Sequence, residues 1–209
     1  MGRPTAKVNV ARDGDTFLDV DVISSMRRPN AAGEFPRAFF TIGHSTRTVE
    51  NVVDLLQEAG ADYVVDVRKF PRSRRYPQFN VEVLPANLGA YGIGYSHLAL
   101  LGGRRGSRPR EEPSLNDGWR NRSFRNYADY ALTPAFEEGM SQLISLGRTN
   151  ACALMCAEAV WWRCHRRIIA DHLLARGARV FHILGKGQIH VATLTPGALI
   201  EGGAPLYPA

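Results

Sequence analysis

From residue 38 onward, short runs of consecutive apolar residues alternate with longer stretches in which apolar side chains recur every three or four positions. The first pattern predicts buried strands and the second predicts amphipathic helices. "AFFTIGH" (38–44) is a strand ending in a Gly-His turn. "TRTVENVVDLLQEAG" (46–60) puts Val49, Val52, Val53 and Leu56 on one helical face, with Gly60 as its stop. "ADYVVDV" (61–67) is a second strand, and a short helical stretch over 81–90 leads to a third, "IGYSHL" (93–98). The segment 124–147 reads as a helix whose second part is started or kinked by Pro134. "ACALMC" (151–156) is a fourth strand. "CHRRIIADHLLARG" (164–177) is a helix with Ile168, Ile169, His172 and Leu173 on one face. "ARVFHIL" (178–184) is a fifth strand, and "GKGQIHVATL" (185–194) adds a sixth in a hairpin.

Strands that alternate with helices predict an α/β protein. Its mostly parallel sheet has about five to six strands, with helices on both faces, in a single domain over 38–209. Residues 1–37 read as an extension, either a small hairpin turning at Asp13-Gly14 or a frayed leader. In parallel sheets ligands bind beyond the carboxyl ends of the strands. The polar residues fall there: His44 after the first strand, Asp66 and Arg68 after the second, His97 after the third, Cys156 and Glu158 after the fourth. Four loops are thus expected to converge on one crevice.

Charge sharpens this picture. The chain carries 26 Lys and Arg against 20 Asp and Glu, and 23 of the 26 are arginine. Between 66 and 125 there are twelve basic residues and five acidic ones, an excess of seven, larger than the net +6 of the whole chain. Such a concentration points to an anionic small molecule or a nucleic acid, although a solvated basic loop has the same composition. Eight aromatic residues are interleaved with this segment, Tyr95 among them, as stacking surfaces for bases. Phe124, Tyr127 and Tyr130 instead have the spacing of one helical face, which favours core packing. The chain has three cysteines, all between 152 and 164, no apolar leader and no run long enough to span a membrane. A cytoplasmic protein without a membrane partner is the expectation. No GxxxxGK[ST] phosphate loop occurs, and "LGGRRGSRPR" follows no strand-to-helix pattern, so no cofactor is expected.

Five stretches resemble a bacterial family catalogued as domain of unknown function 488. They are "TIGHS" (41–45), "DVRKFPRSRRYPQFN" (66–80), "GYSHLALLGG" (94–103), "SFRNYADYA" (123–131) and "CAEAVWWRCHRRIIADHLLARGARVFHI" (156–183). Together they cover about 39–190, and the Cys-Ala-Glu to Cys-His-Arg element is the most specific. The resemblance implies the α/β fold and a shared site built from these motifs. It assigns no reaction.

The chemistry centres on "CAEAVWWRCHRR" (156–167). Cys156 ends a strand, and Cys164-His165-Arg166 opens a helix whose free N–H groups and dipole suit an anion. A thiol there becomes a better nucleophile. The outline resembles the cradle of cysteine phosphatases and sulfurtransferases, but with five residues between them Cys156 meets Trp162 rather than the required arginine. A buried strand-end cysteine is the bland alternative, and Cys152 is read as core. Cys156, Cys164 and His165, with His44 or Glu158, also form a possible zinc set, although their spacing is not the tight pair of a structural site. A third scheme uses Asp66 and Glu158 as acid and base, assisted by His165 or His44. In that scheme Asp66 competes with a plain ion pair to Arg68 or Arg166.

The expectation is an enzyme that acts on a phosphate-bearing substrate, a nucleotide or nucleic acid. Its chemical candidates are Asp66, Cys156, Glu158, His165 and His44. Arg68, Arg72, Arg74, Tyr95, Arg163 and Arg166 would bind the substrate, and no metal site is assigned. The alternatives are a nucleic-acid-binding module without catalysis and a zinc protein using Cys156, Cys164 and His165.

Overall fold

The computed structural model describes residues 38–106 and 114–209, together with the backbone of residues 9–10 and 16–17. Its strands are β1 (Asn9–Val10), β2 (Thr16–Phe17), β3 (Phe39–Gly43), β4 (Tyr63–Asp66), β5 (Gly94–His97), β6 (Cys152–Cys156), β7 (Val180–Gly185) and β8 (Gln188–Val191). They form one sheet in the order β1-β2-β8-β7-β3-β6-β4-β5. The five strands from β7 to β5 are mutually parallel. β8 returns antiparallel to β7, and β1, β2 and β8 continue antiparallel. The turn placed by the sequence at Asp13-Gly14 lies outside the described residues. A separate hairpin, β9 (Leu199–Glu201) and β10 (Ala204–Leu206), closes the chain. Its short, mixed strands gave no usable alternation.

The helices are α1 (Val49–Ala59), α2 (Leu84–Gly89), α3 (Arg122–Tyr130), α4 (Pro134–Gly147) and α5 (Arg166–Ala175). α1 starts at Thr48, whose hydroxyl accepts from Asn51 N–H, and ends at Gly60 in the left-handed region, φ 69°. A left-handed residue is least strained as glycine, which is why the helix stops there. The stretch expected as one interrupted helix is two, because Pro134 takes the first position of α4 behind the Thr133 cap.

Alternate residues of the strands feed two apolar layers. Phe40, Ile42, Val64, Ala153, Met155 and Phe181 pack with Val52, Val53 and Leu56 of α1 and Leu88 of α2. Phe39, Val65, Cys152, Leu154 and Val180 pack with Tyr127 of α3, Met140 and Leu143 of α4 and Ile168, Ile169 and Leu173 of α5. Helices therefore cover both faces, the expected α/β architecture. β6 lies between β3 and β4, so the chain passes over its place when it runs from β3 through α1 to β4. This brings the carboxyl ends of β3, β6 and β4 side by side. Among the described residues no helix is long and apolar enough to cross a membrane.

Candidate functional site

Beyond the ends of the parallel strands lies an open cleft of about 780 Å³. Its walls come from the turn after β3 (His44, Ser45), the basic loop after β4 (Arg68 to Tyr76), Gly103 and Arg104, α3 (Phe124, Tyr127) and the segment 156–165. Arg68, Lys69, Arg72, Arg75, Arg104 and Arg163 line it, against one carboxylate, Glu158, among the described residues. The convergence of separate loops follows from the parallel sheet, in which the carboxyl ends of the strands share one edge.

The β6-to-α5 segment folds tightly over the end of β3. His44 N–H donates to Cys156 O and Ser45 N–H donates to Ala157 O. Gly43 makes this approach possible: a Cβ there would lie 1.9 Å from the Glu158 carbonyl oxygen. The chain then makes a single turn at Trp161–Arg163 before α5. Trp161 stacks on buried His182 with ring centroids 4.1 Å apart, while Trp162 is exposed and outside the cleft lining.

At the mouth of α5 the sulfur atoms of Cys156 and Cys164 and one nitrogen of His165 lie within 4.8 Å of one another. His165 Nε2 is 2.9 Å from Val67 O, so it carries the proton and donates. That leaves Nδ1 facing Cys164 Sγ at 3.5 Å. Gly103 backs the ring, since a Cβ there would lie 2.3 Å from Nδ1. Arg166 is fully buried; its Nε donates to Cys164 Sγ at 3.3 Å and its Nη2 donates to Glu158 O at 2.5 Å. The hydrogen bond to Cys164, together with burial, pushes the Cys156 thiol well above its usual range. Burial by itself raises Cys164 too, but the bond from Cys156 and the Arg166 guanidinium hold it well below. Of the two thiols, Cys164 is the one whose surroundings favour the thiolate. Cys152, at the other end of β6, is ordinary core, its thiol pushed up to about 12 by burial and by Asp62.

A second polar corner closes the floor. Asp66, wholly buried, accepts from Arg68 N–H (3.0 Å), from Arg68 Nε and Nη2 (2.9 and 2.6 Å) and from Tyr95 O–H (2.9 Å). Arg68 Nη2 also donates to Phe79 O at 2.6 Å. His44 Nδ1–H donates to Ser45 O, so its Nε2 accepts from Arg68 Nη1 at 3.3 Å. Burial and the Arg68 charge lower the His44 pKa to about 4. It is therefore neutral, stacked on Phe79 at 4.3 Å. Burial and the Asp66 charge raise the Tyr95 hydroxyl above its usual range.

Six of the expected residues meet at the cleft surface with a seventh at its rim: His44, Arg68, Cys156, Glu158, Arg163 and His165, and Arg72, which pairs with Glu82. Asp66, Tyr95 and Arg166 lie beneath the lining, and exposed Arg74 lies outside it. Arg75 takes the place expected for Arg74, because the loop turns through Ser73, whose N–H donates to Asn80 Oδ1. Sequence reading named Cys164 only as a possible zinc ligand, and it missed Lys69, Arg75 and Arg104 as lining cations.

No curated protein and no solved structure matches the chain. The sequence profile described as domain of unknown function DUF488 matches residues 48–173. That stretch is more than half of the 209 residues, and it contains Asp66, Arg68 and Tyr95 and all three cluster residues, while His44 lies before it. The chain belongs to the DUF488 family.

Proposed function

We propose that the protein is an enzyme acting on a phosphate-bearing substrate, a nucleotide or nucleic acid, held over the Cys156–Cys164–His165 cluster. One observation carries the reading: among the described residues, six cationic side chains and a single carboxylate line the cleft above that cluster. A cleft of one sign concentrates ligands of the opposite sign. The exposed arginines at 75, 104 and 163 serve as the clamp, since a guanidinium fork matches phosphate oxygens in pairs. Arg68 and Arg166 are spent on Asp66, Phe79 O, Cys164 and Glu158 O, so they shape the floor. Phe70, 66% exposed, Tyr76 and Phe124 on the walls offer faces for a base. Asp66 has its oxygens engaged by Arg68 and Tyr95 and acts as a positioning residue. Glu158, exposed on the wall, is the available general acid or base.

The test is a binding and turnover series with inorganic phosphate, nucleoside mono- and triphosphates and short single-stranded oligonucleotides. Nucleotide or oligonucleotide binding should weaken as salt rises, and Arg75→Ala with Arg163→Ala should lose about tenfold or more. Turnover should vanish in Cys164→Ser while binding persists. Binding without turnover of any phosphate-bearing compound would leave a non-catalytic nucleic-acid module. Absence of binding at low salt would sink the reading.

A further inference from the structure

We infer that Cys156, Cys164 and His165 hold a zinc ion whose fourth coordination position opens into the cleft. The inference rests on the cluster being the chemical centre of that cleft, and it names what the cluster carries. Three observations converge on it.

The first is distance. Zinc binds thiolate sulfur at about 2.3 Å and imidazole nitrogen at about 2.0–2.1 Å, in a tetrahedron. Those lengths put sulfur and nitrogen about 3.5 Å apart and two sulfurs about 3.8 Å apart. Cys164 Sγ and His165 Nδ1 are 3.5 Å apart, and all three donor atoms fall within 4.8 Å. A metal enters with the ring where it stands.

The second is the tautomer. A metal needs the unprotonated nitrogen, and a zinc-binding histidine commonly gives its other N–H to a carbonyl or carboxylate. Here Nε2–H goes to Val67 O, and Nδ1 is the nitrogen that faces the sulfurs. Gly103 fixes the ring from behind.

The third is the open side and its charge. Structural zinc sites have four protein ligands, whereas three ligands and a free position define a catalytic one. Cys156, Cys164 and His165 all line the cleft. Two thiolates cancel the charge of zinc, and the buried Arg166 guanidinium against Cys164 leaves the site with one positive charge. An anionic fourth ligand, hydroxide or a phosphate oxygen of the substrate, neutralises it. The lining cations select for the same class of ligand.

The experiment uses the full chain, stripped of metal by a chelator and titrated with cobalt(II). Wild type should develop visible d–d bands and a near-ultraviolet thiolate-to-cobalt charge-transfer band, saturating at one equivalent and abolished by added zinc. Cys156→Ser and Cys164→Ser should each lose about half of the charge-transfer intensity, and His165→Gln should weaken cobalt binding about tenfold or more. In the metal-free protein two thiols should react with an aromatic disulfide, and zinc should protect both. A wild-type titration with no charge-transfer band overturns the inference without any variant. So does undiminished intensity in both cysteine variants. Phosphate-bearing ligands are measured on the same metal-free protein. Ligand binding without cobalt binding removes the metal and keeps the cleft reading; cobalt binding without any ligand does the reverse.

Discussion

Two buried arginines form the floor of the cleft, and their partners differ in kind. Arg68 lies against Asp66, a carboxylate that also accepts from Tyr95, and the pair is closed. Arg166 lies against Cys164, a sulfur that also faces Cys156, His165 and the open cleft. Among the described residues no carboxylate is within ion-pair reach of Arg166. A buried carboxylate whose oxygens are already engaged has little capacity for chemistry. A buried sulfur with a cation beside it and an open side keeps that capacity. The difference separates a satisfied corner from an open one within one cleft floor.

The most damaging change should be at the closed corner. Asp66→Asn leaves the Arg68 guanidinium buried without a counter-charge, and breaking one partner of a buried ion pair costs about 3–5 kcal/mol. Urea denaturation should show that loss. The matching change at the open corner, Arg166→Met, should cost less, about 1–3 kcal/mol, because the sulfur left behind is neutral once protonated and only hydrogen bonds are lost. Equal losses at the two corners would erase the distinction.

Acid should attack the closed corner through His44. Its pKa is about 4 in the fold and near 6.5 in the unfolded chain. The unfolded state therefore binds the extra proton between those values. The stabilisation from neutral His44 is complete above about pH 6.5 and is lost as pH falls toward 4, by roughly 3 kcal/mol. His172 and His182, each lowered to about 3 by burial, act in the same direction. Unfolding midpoints measured from pH 7 to pH 4 should decline, and His44→Gln should flatten part of the slope. A profile unchanged by that substitution would show that the Arg68 contact does not hold His44 neutral.

Gly43→Ala probes how the open corner is held. The added methyl meets the backbone carbonyl of Glu158, which cannot rotate aside as a side chain would, and the loop must move. Overpacking of this kind costs about 1–3 kcal/mol. The movement also withdraws Glu158 O from Arg166 Nη2, so thiol reactivity at Cys164 should change along with stability. Loss of stability with unaltered reactivity would separate the loop from the sulfur.

Much of this was legible in the sequence, and the exceptions have physical causes. Val49, Val52, Val53 and Leu56 announced α1 because a helix must bury a face at that spacing. Chain order alone put His44, Arg68, Cys156 and Glu158 at one edge, since parallel strands present their ends together. Strand order was not legible: periodicity says which face is buried and nothing about which neighbour lies alongside, so the insertion of β6 between β3 and β4 had no local sign. Arg166 was expected to bind substrate or to pair with Asp66; instead it is buried, which depends on a sulfur and a carbonyl that the fold brings to it. The replacement of Arg74 by Arg75 is a one-residue matter of loop geometry, which composition cannot encode.

The smallest effect on stability should come from the rim. Arg72 pairs with Glu82, but the two side chains are 75% and 50% exposed, and water screens such a pair almost completely. Arg72→Ala should therefore change unfolding free energy by no more than about 0.5 kcal/mol. Its effect on a phosphate-bearing ligand should be of another kind. Each cation that contacts a phosphate contributes about one unit to the slope of log affinity against log salt. Removing Arg72 should lower that slope by about one or less, since Glu82 already neutralises part of its charge, and Arg163→Ala should lower it by a full unit. Salt-dependent binding to a short oligonucleotide measures both. If Arg72 and Arg163 alter the slope without altering stability, while Asp66→Asn alters stability first, then rim and floor have the separate tasks that their burial assigns to them.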